Sequence, residues 1–328
     1  MLQTLQYALE AIGPILLIIG LGFLVGRFGA WDRKFYKTLN QICFHLFLPL
    51  NLFCSVYGIE DLSAVNWKLL GFMVAGILLC VGMGAAAARF VRDPNQKGVV
   101  AQAAFRSNQA VLGLPLANAL GGEAAMGFAS VASAIGVPLF NVLAVSVLTA
   151  YAQSGQKQSA RQILAKIGAN PLIRAAALGL LLVALRQTGL VPAFFLRERL
   201  GTVWKAIYDL GKIASPVMLF VLGACLDFGA AGKFLPQLSL GIFLRLVAAP
   251  VLVIGSALLL RQPLGLTTLE MPSFVAMCAS PVAVSSAVMV QEIGGDDQLA
   301  SQMVVWSSVL SMGTIFLLTC CLRTIGAL

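Results

Sequence analysis

Long apolar runs recur along the whole chain, and short polar connections separate them. Each run approaches the length of about 20 residues that a helix needs to cross a bilayer. The apolar positions are continuous and do not alternate, which argues against the strands of a membrane β-barrel. The pattern predicts an all-α polytopic membrane protein with ten transmembrane helices, at approximate positions 8–26, 35–57, 67–90, 98–120, 125–151, 171–190, 203–226, 237–260, 268–292 and 299–322.

The composition points the same way. Apolar residues make up 59% of the chain and charged residues 11%, whereas a soluble domain carries about 25% charged residues. So few charges cannot cover a water-facing surface of this size. The lipid bilayer is therefore the expected surroundings of most of the surface.

The net charge of +9 reflects membrane orientation, because the basic residues cluster at the ends of apolar runs, and we expect no nucleic-acid partner. In the first half, one predicted side carries Lys68, Glu60, Asp61 and Glu123, while the other carries most of the basic residues: Arg27, Arg33, Lys34, Lys37, Arg89, Arg92, Lys97, Lys157, Arg161 and Lys166. The bias of the second half is less clean. The first half predicts a bacterial inner-membrane protein with both termini outside the cytoplasm.

The sequence offers little for metal, cofactor or enzyme chemistry. Its seven cysteines lie in or beside apolar runs without a Cys-x-x-Cys motif, and it has one histidine. It contains no P-loop motif, no His-Glu-x-x-His and no Gly-x-Ser-x-Gly. We therefore expect no metal site, no cofactor and no enzymatic activity.

An internal repeat divides the chain into two halves. At one constant offset, Ser107, Ala110-Val111, Gly121-Gly122 and Glu123 recur as Ser280, Ala283-Val284, Gly294-Gly295 and Asp296. Prolines also align the second segment with the seventh and the first with the sixth. A repeat of five spans must invert in the membrane. We expect one five-helix repeat at 1–151, a cytoplasmic linker at 152–170 and an inverted repeat at 171–328.

Polar and helix-breaking residues interrupt the fourth and ninth segments, with predicted breaks at Asn108, Pro115 and Pro281. Paired breaks in two halves are the best sequence indication of a transporter's binding site, and the half-helices that follow them present N–H groups that attract anions. The alternative is a proline kink packed against its neighbours. The predicted substrate-binding residues are Arg106, Ser107, Asn108, Gln109, Ser280, Pro281 and Val282.

Four ionisable residues inside the apolar segments leave two interpretations open. Arg106 could hold a second carboxylate of a dicarboxylate, or make a structural contact between helices. His45 and Lys212 occupy equivalent positions in the two halves, and Arg245 has no obvious partner in the sequence. These three residues could serve coupling or structure.

Three phrases resemble the auxin efflux carrier family. They are RSNQAVLGLPL from Arg106, ASPVAVSSA from Ala279 and FLPLNLF from Phe47. The resemblance covers essentially the whole chain, and without a large central loop it fits the compact bacterial members, often described as malonate or malate permeases, better than the plant PIN carriers. It implies ten spans in two inverted repeats, with the fourth and ninth helices crossed. It also implies a dimerising scaffold of spans one, two, six and seven, and elevator-like movement of the rest.

The resemblance carries over only in part. Asn108 matches an asparagine that helps to hold the substrate in the plant carriers, but Val282 stands where their second asparagine would follow the proline. The third segment has only Gly71, Phe72, Met73, Val74 and apolar neighbours where those carriers have an acid and a lysine. These departures argue against auxin as the substrate and against that way of handling protons.

The sequence thus predicts a homodimeric secondary active transporter of a small mono- or dicarboxylate. An anion channel or a membrane sensor on the same fold is the alternative. The substrate's identity, the direction of transport and the coupling ion stay open.

Overall fold

A computed structural model describes residues 14, 17–29, 31–58, 67–152, 161, 165, 168–190, 192, 195–226, 228–266 and 270–328. Across these residues the regular structure is helical, apart from one isolated bridge between Ser107 and Val282. Six of the described helices are long and apolar enough to cross a membrane. The chain is therefore built as a multi-pass membrane protein, while the count of ten spans and the inverted repeat stay predictions. Most of the predicted linker, and the start of the first predicted span, lie outside the described residues.

The main helices are labelled in chain order. They are α1 Leu17–Arg27, α2 Arg33–Tyr57, α3 Trp67–Phe90, α4 Pro94–Phe105, α5 Leu114–Tyr151, α6 Pro171–Gln187, α7 Gly201–Cys225, α8 Ala231–Leu259, α9 Met271–Ala279, α10 Ser285–Ile293 and α11 Asp297–Thr324. Helix α5 bends at Gly122, where φ is 70° and ψ is −163°. Glycine suits this position, because L side chains rarely adopt that backbone conformation.

Wide π turns precede three of the prolines in these helices. They span Cys43–Phe47, Gln109–Gly113 and Leu244–Ala248, and each ends two residues before a proline. Proline lacks an N–H donor and its ring crowds the carbonyl four residues earlier, so a wider turn lets the helix continue past it. At Pro115 the helix accordingly runs on, and the interruption expected there lies earlier in the chain, before Gln109.

Small residues bring two helices of the implied scaffold into close contact. A Cβ added to Gly22 or Gly26 of α1 would collide with the backbone of α7 at Phe220 and Ala224. Helix α2 packs along α6, where Gly179 faces Val56, and also along α7. Glycine at such positions allows membrane helices to approach closely. Of these four helices, α2, α6 and α7 contribute residues to the lining of the site described next.

Candidate functional site at the paired helix breaks

Two interrupted helices meet inside the protein. The chain leaves helical geometry between α4 and the π turn before α5, and again between α9 and α10. The two extended segments pair in antiparallel fashion. The N–H of Asn108 donates to the carbonyl of Pro281 at 2.9 Å, and the N–H of Ala283 donates to the carbonyl of Arg106 at 3.1 Å. This pairing satisfies backbone groups that a membrane interior would otherwise leave without partners.

Local chemistry explains where the second break begins. Pro281 cannot donate a backbone hydrogen bond, and a residue before proline avoids helical geometry. Ser280 is accordingly extended, with φ −62° and ψ 143°, and its hydroxyl donates to the carbonyl of Ala276 at 2.6 Å. Within the break, the N–H of Val282 donates to the hydroxyl of Ser307 at 3.1 Å. Neighbouring groups thus hold the extended backbone in place.

Arg245 of α8 caps the C-terminal ends of α4 and α9, the two helices that precede the breaks. Its guanidinium is buried and donates to five main-chain carbonyl oxygens at 2.6 to 3.5 Å. The carbonyls belong to Ala104, Phe105, Met277, Cys278 and Ser280. The last carbonyls of a helix lack intrahelical donors and carry partial negative charge. This geometry favours the structural interpretation of Arg245.

The place where the two interrupted helices meet is called the crossing below. Arg106 also lies at this crossing but has different partners. Its side chain is 1% exposed and donates to Asn141 Oδ1 at 2.8 Å and to Ser285 Oγ at 2.7 Å. It also contacts the sulfur of Met289, and its Nε has no partner. No carboxylate within the described parts of the chain forms an ion pair with it. The buried guanidinium is therefore surrounded by neutral groups.

A cavity of about 80 Å³ lies beside Arg106, between the breaks and the helices α2, α5 and α7. Its polar lining consists of Asn51, Arg106, Ser107, Asn108, Asn141, Ser215 and Ser285. The hydroxyl of Ser107 and the Nδ2 of Asn108 are buried without hydrogen-bond partners in the described part of the chain. Buried polar groups normally have partners, so these donors are available to a molecule in the cavity.

A family model described as "Membrane transport protein" matches residues 7–319 of the chain. The chain belongs to this family. The match confirms the resemblance to auxin efflux carriers and identifies a membrane transporter of the permease type, in a family of transporters rather than enzymes. No curated protein matches the sequence.

A second, smaller cavity of this transporter, about 50 Å³, is lined by α2, α7, α10 and α11. It contains the polar residues Asn40, Gln291, Asp297 and Ser301. The amide of Asn40 donates to Gln291, which joins α2 to α10. Met218 and Val284 line both cavities, so these two apolar side chains stand between them.

The crossing gathers the predicted site residues, but only three of the seven line the larger cavity: Arg106, Ser107 and Asn108. Ser280, Pro281 and Val282 form the opposite strand of the backbone pairing and do not line it. Gln109 is fully buried close to Gly136, and neither polar atom of its amide has a partner among the described residues.

His45 and Lys212 lie on the outer surface, away from both cavities. The Nδ1 of His45 is 3.0 Å from the carbonyl oxygen of Gln41 in its own helix. The ammonium of Lys212 lies 4.3 Å from the centre of the Tyr208 ring. Neither position brings the side chain to the crossing.

Sequence reasoning missed four polar residues of the cavity, which are Asn51, Asn141, Ser215 and Ser285. A signal for Asn141 was present, because it is the single asparagine in the apolar run 125–151, and polar side chains inside membrane helices commonly bond to neighbouring helices. The other three lie close to prolines in the sequence, where the pattern indicated a change of backbone geometry and not a binding side chain.

Proposed function

We propose that this transporter is a secondary carrier that moves a small organic anion, a mono- or dicarboxylate, through the cavity at the helix crossing. One observation carries the proposal. Arg106 is buried beside the cavity with neutral hydrogen-bond partners and no ion-paired carboxylate within the described chain. A buried charge without a counter-ion is costly, and an ionisable group within a membrane helix is usually functional. An anionic substrate supplies the missing charge.

The surroundings of Arg106 suit a carboxylate. A guanidinium can bind two carboxylate oxygens at once, and Asn108 adds a buried donor without adding a second charge. Helix α10 begins at Ser285 on the cavity wall, so its N-terminal end contributes partial positive charge. A volume of about 80 Å³ exceeds the roughly 10–15 Å³ that one water requires, which leaves room for a small acid.

Two cavities separated by Met218 and Val284 support a carrier over an open channel, since a channel needs a continuous lined pore. Met218 belongs to α7 of the implied scaffold, while Val284 lies at the crossing. Sliding of the crossing against the scaffold would connect the cavity first to one side and then to the other. This is the elevator movement that the family resemblance implies, on a dimeric scaffold.

The proposal places the protein in the bacterial inner membrane with both termini outside. The basic bias of the first-half loops supports that orientation. Single cysteines at positions 2 and 157, probed in intact cells with a membrane-impermeant thiol reagent, test it against an otherwise cysteine-free chain. Labelling at 157 but not at 2 would reverse the orientation.

Coupling to protons, or electrogenic movement of the anion, fits the cavity better than coupling to sodium. No acidic side chain is among the described residues that line the larger cavity, so these residues supply no carboxylate-based Na⁺ site. Uptake driven by a Na⁺ gradient and indifferent to a pH gradient would contradict this assignment.

Proteoliposomes test the proposal as a whole. We expect saturable uptake of one or more mono- or dicarboxylates, accelerated by unlabelled substrate on the opposite side. Arg106→Gln serves as the matched variant with weakened substrate binding. Flux that rises linearly with concentration and shows no counterflow would indicate a channel. Tight carboxylate binding without any flux would indicate a sensor.

A further inference from the structure

A third cavity, of about 350 Å³, lies where α1 ends, α2 begins and α7 ends. It shares no residue with the crossing cavity. Its lining includes Phe23, Arg27, Trp31, Arg33, Tyr36 and Leu226. The transport proposal gives this cavity no role. Its position at the ends of three helices corresponds to a membrane–water interface.

Two arginines supply the charge of this cavity. Arg27 and Arg33 are exposed, and neither forms an ion pair with a carboxylate in the described segments. Asp32 lies next to Arg33 in sequence, but its carboxylate accepts the N–H of Phe35 at 2.8 Å and caps α2. The two guanidiniums therefore give the cavity a positive lining without a described counter-ion.

Tyr36 provides a second, independent indication of a ligand. Its side chain is 3% exposed and lines the cavity, yet its hydroxyl has no hydrogen-bond partner among the residues that the structure describes. Its ring packs against Phe220 with the centroids 6.4 Å apart, which fixes its position. A buried hydroxyl without a partner is unfavourable. A bound anion with several acceptor oxygens would satisfy the hydroxyl and both arginines together.

We propose that this cavity binds a phosphate-bearing anion, with Arg27 and Arg33 as its charge partners and the hydroxyl of Tyr36 as a third donor. Arginine forks match phosphate geometry, and basic pockets between membrane helices bind lipid headgroups. The surroundings favour a phospholipid as the source. Trp31 lies at the rim, half exposed as is typical of interfacial tryptophans. The apolar side chains of Leu21 and Leu24 on α1, and of Phe28 directly after it, are exposed and offer a surface for acyl chains.

The test uses purified full-length protein in neutral detergent. Its thermal unfolding midpoint is followed during titration with phosphatidylglycerol, phosphatidylcholine or inorganic phosphate. We expect phosphatidylglycerol to raise the midpoint saturably and phosphatidylcholine to have little effect. A rise with inorganic phosphate alone would support the phosphate site and assign it to a soluble ligand. No rise with either anion would overturn the proposal.

Variants locate the effect. Arg27→Gln with Arg33→Gln should weaken the apparent affinity roughly tenfold or more, and Tyr36→Phe should weaken it less while keeping the ring. The matched control is Arg89→Gln with Arg92→Gln, which removes the same charge from exposed residues outside this cavity. An equal loss in the control would show diffuse surface attraction and overturn the site. If the Arg27 and Arg33 double variant fails to fold, the affinity is measured with the single variants Tyr36→Phe and Arg27→Gln. Unchanged affinity in both single variants would exclude the site.

Discussion

Two almost fully buried arginines contact the same pair of interrupted helices through different partners. Arg245 is 2% exposed and Arg106 is 1% exposed. Arg245 donates to five carbonyl oxygens at the ends of α4 and α9. Arg106 donates to the side chains of Asn141 and Ser285 and borders a cavity. The two residues share chemistry and burial but differ in what surrounds them.

The two arginines differ in their hydrogen-bond partners and not in their burial. The carbonyls around Arg245 carry the negative ends of two helix dipoles, which offset its charge. The amide and hydroxyl around Arg106 are neutral and leave its charge uncompensated. In our proposal, an anionic substrate supplies the charge that the neutral partners of Arg106 do not offset.

The largest effect should come from Arg245→Met. The change leaves several buried carbonyls at two helix ends without donors, and each unsatisfied group costs about 1–3 kcal/mol. We expect a loss of at least about 3 kcal/mol in unfolding free energy, seen as a large fall in the thermal midpoint of purified protein. Arg245→Lys should recover part of it, because an ammonium still donates to some carbonyls. A normal midpoint combined with lost substrate binding would reverse the comparison between the two arginines.

Arg106→Gln should weaken substrate binding with little effect on stability. A charge-assisted hydrogen bond contributes about 1.5–3 kcal/mol, so affinity for carboxylates should fall roughly tenfold to a hundredfold. Stability should hold or rise slightly, since a buried charge without a counter-ion is removed. Isothermal titration and thermal unfolding of the same preparation measure both. A collapse of stability with retained affinity would make Arg106 structural like Arg245.

Asn108→Ala tests the neutral donor next to Arg106. We expect binding to weaken by about 1–3 kcal/mol, the cost of leaving a buried polar group of the ligand without a partner. Stability should change little, because the Nδ2 of Asn108 has no partner within the described protein. Unchanged affinity, together with ligand density elsewhere in an experimental structure, would contradict the proposed site. The breaks would then be structural kinks that pack against neighbouring helices.

The smallest effect comes from comparing Ser107 with Ser280, the two serines that the predicted repeat aligns. Ser107→Ala removes an unpartnered hydroxyl from the cavity, so affinity should fall by about 0.5–1.5 kcal/mol. Ser280→Ala removes a hydroxyl that already bonds to its own helix, so affinity should stay the same. Equal losses at both serines would mean that the ligand lies on the axis of the crossing, in contact with both halves.

The sequence predicted the positions of both interruptions, because polar residues and prolines occur where the helices break. The polar pair at 107–108 and the Ser-Pro pair at 280–281 coincide with the gaps between helices. Pro115 carried a similar mark but sits in a continuous helix after a π turn. A proline shows that one backbone hydrogen bond is missing, but not whether the helix breaks or widens to accommodate it.

The partners of the charged residues could not be read from the sequence. Arg245 bonds to carbonyls, which every residue possesses, so no side-chain motif indicates them. Asn141 and Ser285 are far from Arg106 in sequence and reach it only after the helices pack. His45 and Lys212 matched in the repeat, yet both face outward. Long-range packing decided each of these cases.

The two halves meet at the crossing through main-chain atoms, Asn108 to Pro281 and Ala283 to Arg106. Such bonds depend on backbone direction and not on the identity of most side chains. Mutations at cavity positions such as Ser107 and Asn141 can therefore accumulate without dismantling the junction. After gene duplication, one copy could acquire a different substrate specificity through a few changes in cavity side chains, while the main-chain hydrogen bonds between the two helices stay the same.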